Sequence, residues 1–250
     1  GLYAMPSGTG AGPAVWCHAL LPDYHAFSGR GGYAFPLYDR RPEVDAANIT
    51  PALIAGLSAA YGQAVTAEDI FDAMLCFLSA HAYSLRFAED LEDTFPHVAF
   101  PADLSVFAGA VGLGREIRTV ESFAREPRGA FARPGFVRLE SEPRGTVAHA
   151  ELAGEALDLC ADGSGHVTGL QQPVWHFSVS GYRLLPRWLE ARVGLPADLA
   201  FVREFRDICG RIAELIDLFG QADRILEAVL QDPISREALN FAPPPREEDE

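Results

Sequence analysis

Arginine, histidine and cysteine side chains are the groups in this chain whose types and spacing could do chemistry. Arg183, Arg187 and Arg192 recur along VWHFSVSGYRLLPRWLEARVG, residues 174 to 194, a stretch that also carries two tryptophans and a tyrosine. Every one of the twenty basic residues is arginine, and lysine is absent. A guanidinium offers a planar fork of donors that an ammonium cannot reproduce. Lysine's absence rules out Schiff-base catalysis and argues against the common metal-dependent nuclease core, in which a lysine stands beside two acids.

The remaining candidates weaken on inspection. His166 and His176, with Cys160 nearby, could begin a metal site, but nothing repeats the ligand spacing that zinc requires, so structural histidines are expected. A Cys-His or Ser-His hydrolase could be assembled from Cys17, His18, His25 and Ser28, yet no nucleophile elbow supports it. The glycine-rich GTGAG at 8 to 12 neither follows a strand nor opens a helix, so it is read as flexible chain rather than a phosphate loop. Adenine methylation needs Asn, Asp or Ser before two prolines and an aromatic, and Asn240-Phe241-Ala242-Pro243-Pro244-Pro245 lacks that order. The four cysteines, Cys17, Cys76, Cys160 and Cys209, are widely scattered and read as buried fillers rather than disulfides or a zinc site. No catalytic centre, metal or cofactor is expected.

These side chains need elements to position them. Residues 1 to 48 are rich in Gly and Pro and read as loop with one or two short strands. A helical subdomain is expected over 49 to 128. Thr66 with Asp69 resembles a capping box that opens a helix through IFDAMLCFLSAHA. A second helical piece, SLRFAEDLEDTF, stops at Pro96, and a third helix runs from about Asp103 to Ala124. From 129 to 180 short apolar runs alternate with turn signals, which predicts an antiparallel meander with Asp162 and Gly163 in a hairpin. Within it Val174 to Val179 read as a half-buried strand. After Gly181, residues Leu184, Leu185, Trp188, Leu189 and Val193 fall on one helix face, with Pro186 in the first turn and Gly194 at the exit. Arg183, Arg187 and Arg192 then turn outward. Trp175, Tyr182 and Trp188 read as core anchors.

Over 181 to 232 C-terminal helices pack on the core, and their signal is the strongest in the chain. Phe201, Phe205, Ile208, Ile212, Leu215, Phe219, Ala222, Leu226 and Val229 step by four and three, one apolar stripe on a helix or a close helix pair. Residues 233 to 250 read as an acidic, proline-rich disordered tail. The fold class that follows is α+β, helix-dominated, with the small antiparallel β meander between helical segments.

Composition sets the class and charge complicates it. With 250 residues and 48% hydrophobic content, the chain can bury a large core. No apolar run is long enough to span a membrane and no signal peptide is evident, so a cytoplasmic protein without membrane partners is expected. The first residue, Gly1 rather than Met, reads as the start of an excised or processed piece. A net charge of -15 opposes nucleic-acid binding on its face. Its distribution is uneven: Glu43 to Asp103 holds ten acids and one arginine, Arg115 to Arg144 seven arginines against five acids, and Arg183 to Arg211 six against four.

Several motifs in one order carry a family resemblance. LPDYHAF at 21 to 27, YAFPLY at 33 to 38, ITPALIAGLSAAYG at 49 to 62, the run from Glu68 to Phe100, GREIRTVESF, the 174 to 194 stretch and FVREFRDICGRIAELIDLFGQADRI together resemble the C-terminal specificity domain of type ISP restriction-modification enzymes. The ordered resemblance covers roughly residues 16 to 230. It departs from the family in carrying Pro186 and Arg187 where lysines are usual, and in its acidity. The resemblance implies a DNA target recognition domain without catalysis of its own, with double-stranded DNA and the methyltransferase, helicase and nuclease domains of a parent polypeptide as partners. Under that implication an arginine fork can pair with guanine O6 and N7 or clamp a phosphate, and Arg183, Arg187, Arg192, Arg138 and Arg144 form the expected DNA-facing set. The acidic 43 to 103 block would then face water or a neighbouring domain. The rival classes are an acidic protein-interaction scaffold and a cryptic hydrolase.

Overall fold

The apolar stripe between Phe201 and Val229 becomes one unbroken helix in the computed structural model of the chain, and several of the other helices pack against it. The structure describes residues 1–4, 12–20, 22, 32–133 and 136–239. Most of GTGAG and LPDYHAF, with His25, Ser28 and the residues from 240 onward, lie outside the described residues.

In chain order, β1 (Leu2–Ala4), β2 (Val15–Cys17) and β3 (Tyr33–Phe35) form an antiparallel sheet in the order β2-β1-β3, and β4 (Tyr38–Asp39) pairs with β5 (Ala46–Ala47). The helical part follows as α1 (Pro51–Tyr61), α2 (Ala67–Ser79), α3 (His81–Arg86), α4 (Asp90–Asp93) and α5 (Leu104–Glu121). A 3-10 turn at Gly129–Ala132 leads to β6 (Arg138–Leu139), β7 (Ala156–Asp158) and β8 (His166–Thr168). Then come α6 (Gln172–His176), the pair β9 (Ser178–Val179) and β10 (Tyr182–Arg183), α7 (Leu184–Glu190) and α8 (Leu199–Gln231). The expected α+β, helix-dominated class is the observed one. No helix among the described residues is long and apolar enough to cross a membrane.

Local chemistry explains the helix boundaries. Thr66 accepts from the Asp69 N–H at 3.1 Å while Asp69 accepts from the Thr66 N–H at 3.0 Å, the capping box that the sequence predicts. Asp103 caps α5 through Ser105 N, and Asp198 caps α8 through Phe201 N. Gly194 takes the left-handed conformation, φ 85°, expected of it.

Packing is densest where α2 meets α5 and both meet α8. Nearly every residue of α2 from Ile70 onward is buried, as is the α8 stripe apart from the half-buried Ile208. Three glycines leave α5 unbroken, and Gly114 is the one the packing demands. A Cβ there would lie 1.7 Å from the Asp72 carbonyl oxygen.

The buried Asp72, Glu214 and Arg211 are paired, as their desolvation cost requires. Fully buried Asp72 receives Arg118 Nε at 2.6 Å and Nη2 at 3.0 Å, with Arg115 Nε at 3.3 Å. Glu214 of α8 receives Arg125 Nη2 at 2.6 Å and the Arg128 N–H at 3.2 Å. Arg211 reaches the other way, to Asp207 at 2.6 Å and to the carbonyls of Val120 and Arg125. The basic block read between Arg115 and Arg144 is therefore largely structural at its start: three of its arginines, Arg115, Arg118 and Arg125, fasten α5 to α2 and α8.

Three segments differ from the sequence reading. The sheet at 138 to 168 is antiparallel, but its order is β6-β8-β7, so the last strand lies in the middle. Only β7 and β8 form a hairpin, with Asp162 accepting from Ser164 and Gly163 at φ 76°. Residues 146 to 152 make only isolated bridges, Thr146 with Pro196 and Val147 with Cys160. The first half of the expected strand Val174 to Val179 is helix, because Pro173 suits the first turn of α6, in which Val174 and Trp175 are both buried. Strand geometry survives at β9, which turns into β10 through Ser180 and Gly181, both at positive φ. Finally, residues 233 to 239 are packed rather than tail-like: the Ile234 N–H donates to Phe100 O at 2.8 Å and Leu239 is buried over Gly56.

Candidate nucleic-acid interface

The five arginines singled out by sequence sit on two neighbouring parts of the fold. Arg183 ends β10 and occupies the cap position of α7, Arg187 lies in that helix, and Arg192 lies in the turn beyond it. Arg138 opens the edge strand β6 opposite Thr168, and Arg144 lies in the loop before Thr146. A short ladder joins the two parts: the Val147 N–H donates to Leu195 O, Gly194 N–H to Val147 O, and Ala197 N–H to Gly145 O. The loop carrying Arg144 therefore runs beside the turn that follows Arg192.

Their environments separate them. Arg138 and Arg144 are exposed and make no ion pair among the described residues, although Arg144 lies near enough to the Asp162 carboxylate to help the Ser164 hydrogen bonds hold it below its ordinary value. Arg144 is held by its backbone, which donates to Ser164 Oγ at 2.9 Å. Arg183 is exposed and donates from Nη2 to His176 Nδ1 at 3.2 Å. Because His176 Nε2 is 3.0 Å from Gln172 Oε1, the two contacts together assign the neutral ring with its proton on Nε2. Arg187 pairs with Glu190 at 2.8 Å on the same helix, both side chains more than half exposed, a contact of small worth.

Arg192 is fixed. Its guanidinium carbon lies 3.9 Å from the Trp188 ring centroid, its Nη1 donates to Trp188 O at 3.2 Å, and its Nη2 reaches Glu204 Oε1 at 3.0 Å. Trp188 in turn stacks on Phe201, centroids 5.3 Å apart. This arginine, aromatic and helix sandwich closes α7 onto α8. Trp175 is buried as an anchor residue should be, whereas Tyr182 and Trp188 are half-buried.

The chemically reactive candidates come apart. Burial, with a smaller push from Glu121, raises the Cys17 thiol to about 12, and burial alone raises Cys76 to about 12. Such thiols are inert as nucleophiles, and all four cysteines are buried and unlinked, as the sequence predicts. Burial lowers His18 to about 4. His166 is taken by Asp158 at 2.6 Å. Among the described residues no three His, Cys, Asp or Glu side chains gather as a metal cage would need.

One concave basic site was missed by sequence. Arg203 and Arg206, three apart on α8, line a cleft with Arg133. The signal existed in the surplus of arginine between 183 and 211, but pairing Arg133 with them needs the tertiary fold.

No curated protein matches the chain. Solved structures similar to it include the following three. They are a nuclease-deletion mutant of the Type ISP restriction-modification enzyme LlaGI in complex with a DNA substrate mimic (TM-score 0.58, 14% identity, 90% of this chain and 20% of that one), the DrdV-DNA complex (0.59, 18%, 97% and 24%), and the ATP-dependent Type ISP restriction-modification enzyme LlaBIII bound to DNA (0.62, 12%, 94% and 16%). At such identities the likeness is one of fold, and the present chain spans a quarter or less of each of those chains. The family model for the Type ISP C-terminal specificity domain matches residues 1–217 of the 250, so the chain belongs to that family.

Proposed function

We propose that this chain is the sequence-reading module of a Type ISP restriction-modification polypeptide, engaging double-stranded DNA while methyl transfer, translocation and cleavage reside in domains outside it. The observation that carries the reading is the family match over residues 1–217. Exposed arginines that make weak ion pairs or none among the described residues support it. Arg138 and Arg144 need no rearrangement to meet an anion, and Arg183 gives up only a neutral imidazole. Arg187 exchanges a weak exposed pair for a phosphate at little cost. Arg192 contributes by shaping the surface, since freeing it would break its hold on Glu204 and Trp188. The net charge of -15 does not oppose this reading, because binding senses the local field at the groove more than the whole-molecule sum.

The test is fluorescence anisotropy with a randomised duplex pool between about 50 and 200 mM salt, comparing the chain with its Arg138→Ala, Arg144→Ala, Arg183→Ala triple variant. The reading predicts steep salt dependence for the parent and a slope reduced by up to about three for the triple variant. A parent chain that binds no duplex at about 50 mM salt would overturn the reading and favour an acidic interaction scaffold.

A further inference from the structure

The cleft missed by sequence has a volume of about 320 Å³ and lies between the first turns of α8 and the stretch that leads from α5 into β6. Arg203 and Arg206 come from α8, and Arg133 comes from the other wall. Side chains three apart on a helix share a face, so the two helical guanidiniums point the same way. Phe131 and Phe136 complete the wall, their rings edge to face with centroids 5.9 Å apart. The wall is held close to α8: a Cβ on Gly210 would lie 2.7 Å from Phe131 O.

The carboxylates of this site do not balance its charge. Asp207 spends both oxygens on Arg211, at 2.6 and 3.3 Å, and Glu126 comes no nearer than 3.8 Å to that same guanidinium. Both carboxylates that line the cleft are thus turned toward Arg211. Arg133 and Arg203 are exposed and make no ion pair among the described residues. Like charges gathered in a concavity repel each other and add nothing to folding, so the arrangement is favourable only when an anion enters. That a chain of net charge -15 should concentrate positive charge at this point is the observation to explain.

We propose that this cleft is a phosphate clamp for the DNA backbone, with Arg203, Arg206 and Arg133 donating to phosphodiester oxygens and the Phe131 and Phe136 rings packing on the adjoining sugar. The proposal rests on the duplex-binding reading above. The chemistry fits: guanidinium forks match phosphate oxygens, and an apolar wall beside them suits a deoxyribose better than water. Such a contact positions the duplex without reading its sequence. Val137 also lines the cleft and Arg138 follows it directly, so the clamp adjoins the arginine proposed at the edge strand.

The experiment uses the whole chain, the randomised duplex pool and three single variants: Arg203→Ala, Arg133→Ala, and Arg236→Ala as an exposed arginine away from the cleft. Circular dichroism checks that each is folded. The clamp predicts that Arg203→Ala and Arg133→Ala each weaken binding about ten-fold at about 100 mM salt and lower the salt slope by about one, equally for all duplexes. Arg203→Lys recovers part of the affinity, and Arg236→Ala changes nothing. A parent chain that binds duplex with a steep slope while both cleft variants match it overturns the clamp and leaves the DNA reading intact. A parent chain that binds no duplex overturns both.

Discussion

Arg118 of α5 grips both oxygens of the fully buried Asp72 carboxylate of α2, at 2.6 and 3.0 Å. A buried anion is tolerable only while its partner stays in place. Replacing Arg118 with Met leaves Asp72 to the longer Arg115 contact and should cost about 3 kcal/mol. Urea unfolding would register it as a lower midpoint at unchanged slope. Combining it with Asp72→Asn should recover part of the loss, since no uncompensated charge then remains. Strict additivity of the two changes would refute the coupling.

Two glycines of α5 make opposite predictions. At Gly114 an added Cβ collides with α2 backbone, which cannot yield as a flexible side chain would, so Gly114→Ala should unfold the chain or cost several kcal/mol, about 3 or more. At Gly112 nothing lies within 4 Å of the added atom, so Gly112→Ala should stabilise α5 by up to about 1 kcal/mol. Thermal melts of the two variants, moving in opposite directions, check both.

What was legible in the sequence follows from how local each cause is. The Thr66 and Asp69 capping box, the Gly194 exit and the α8 stripe each depend on residues within a turn or two of one another, and each stands where the spacing places it. The β6-β8-β7 order depends on which strands meet in space, and two- or three-residue strands carry too little pattern to declare it. Trp175 looked like a strand residue because alternation over six positions also fits one turn of buried helix after Pro173. Charge was legible as a sum and illegible as a surface. Arg115, Arg118 and Arg125 are internal clamps, while Arg133 and Arg203 converge across a cleft from positions seventy residues apart.

Glu121 gives a pH signature. It is buried, its carboxyl accepting from Cys17 N at 2.7 Å and finding no other hydrogen-bond partner among the described residues, and burial raises that carboxyl well above the ordinary 4.5. A raised folded-state value means the neutral form is preferred in the fold, so stability tied to this group is full below about 4.5 and is lost as pH rises through the raised value. Glu121→Gln keeps an acceptor for Cys17 and cannot ionise. It should exceed the parent in stability near neutral and alkaline pH, with the gap closing as pH falls toward 4.5. Denaturant midpoints across pH would show this, and a gap constant with pH would contradict it.

Arg192 and Arg183 stand on the same stretch yet should fail in different ways. Arg192 lies over Trp188, donates to the Trp188 carbonyl and pairs with Glu204, with its side chain 28% exposed. Truncating it removes a stacked cation and the apolar stem that covers the ring, a loss of about 1 to 2 kcal/mol in stability. Arg183, exposed and hydrogen-bonded among the described residues to a neutral imidazole, should cost well under about 0.5 kcal/mol when truncated. On the proposed surface the order reverses for binding. Arg183→Ala should weaken duplex affinity and lower the salt slope by about one with the melting temperature unchanged, whereas Arg192→Ala should lower the melting temperature and leave the slope near that of the parent. Finding the slope lowered by Arg192→Ala and untouched by Arg183→Ala would mean that the guanidinium facing the duplex is the one now folded over Trp188, and that Glu204 is displaced when DNA binds.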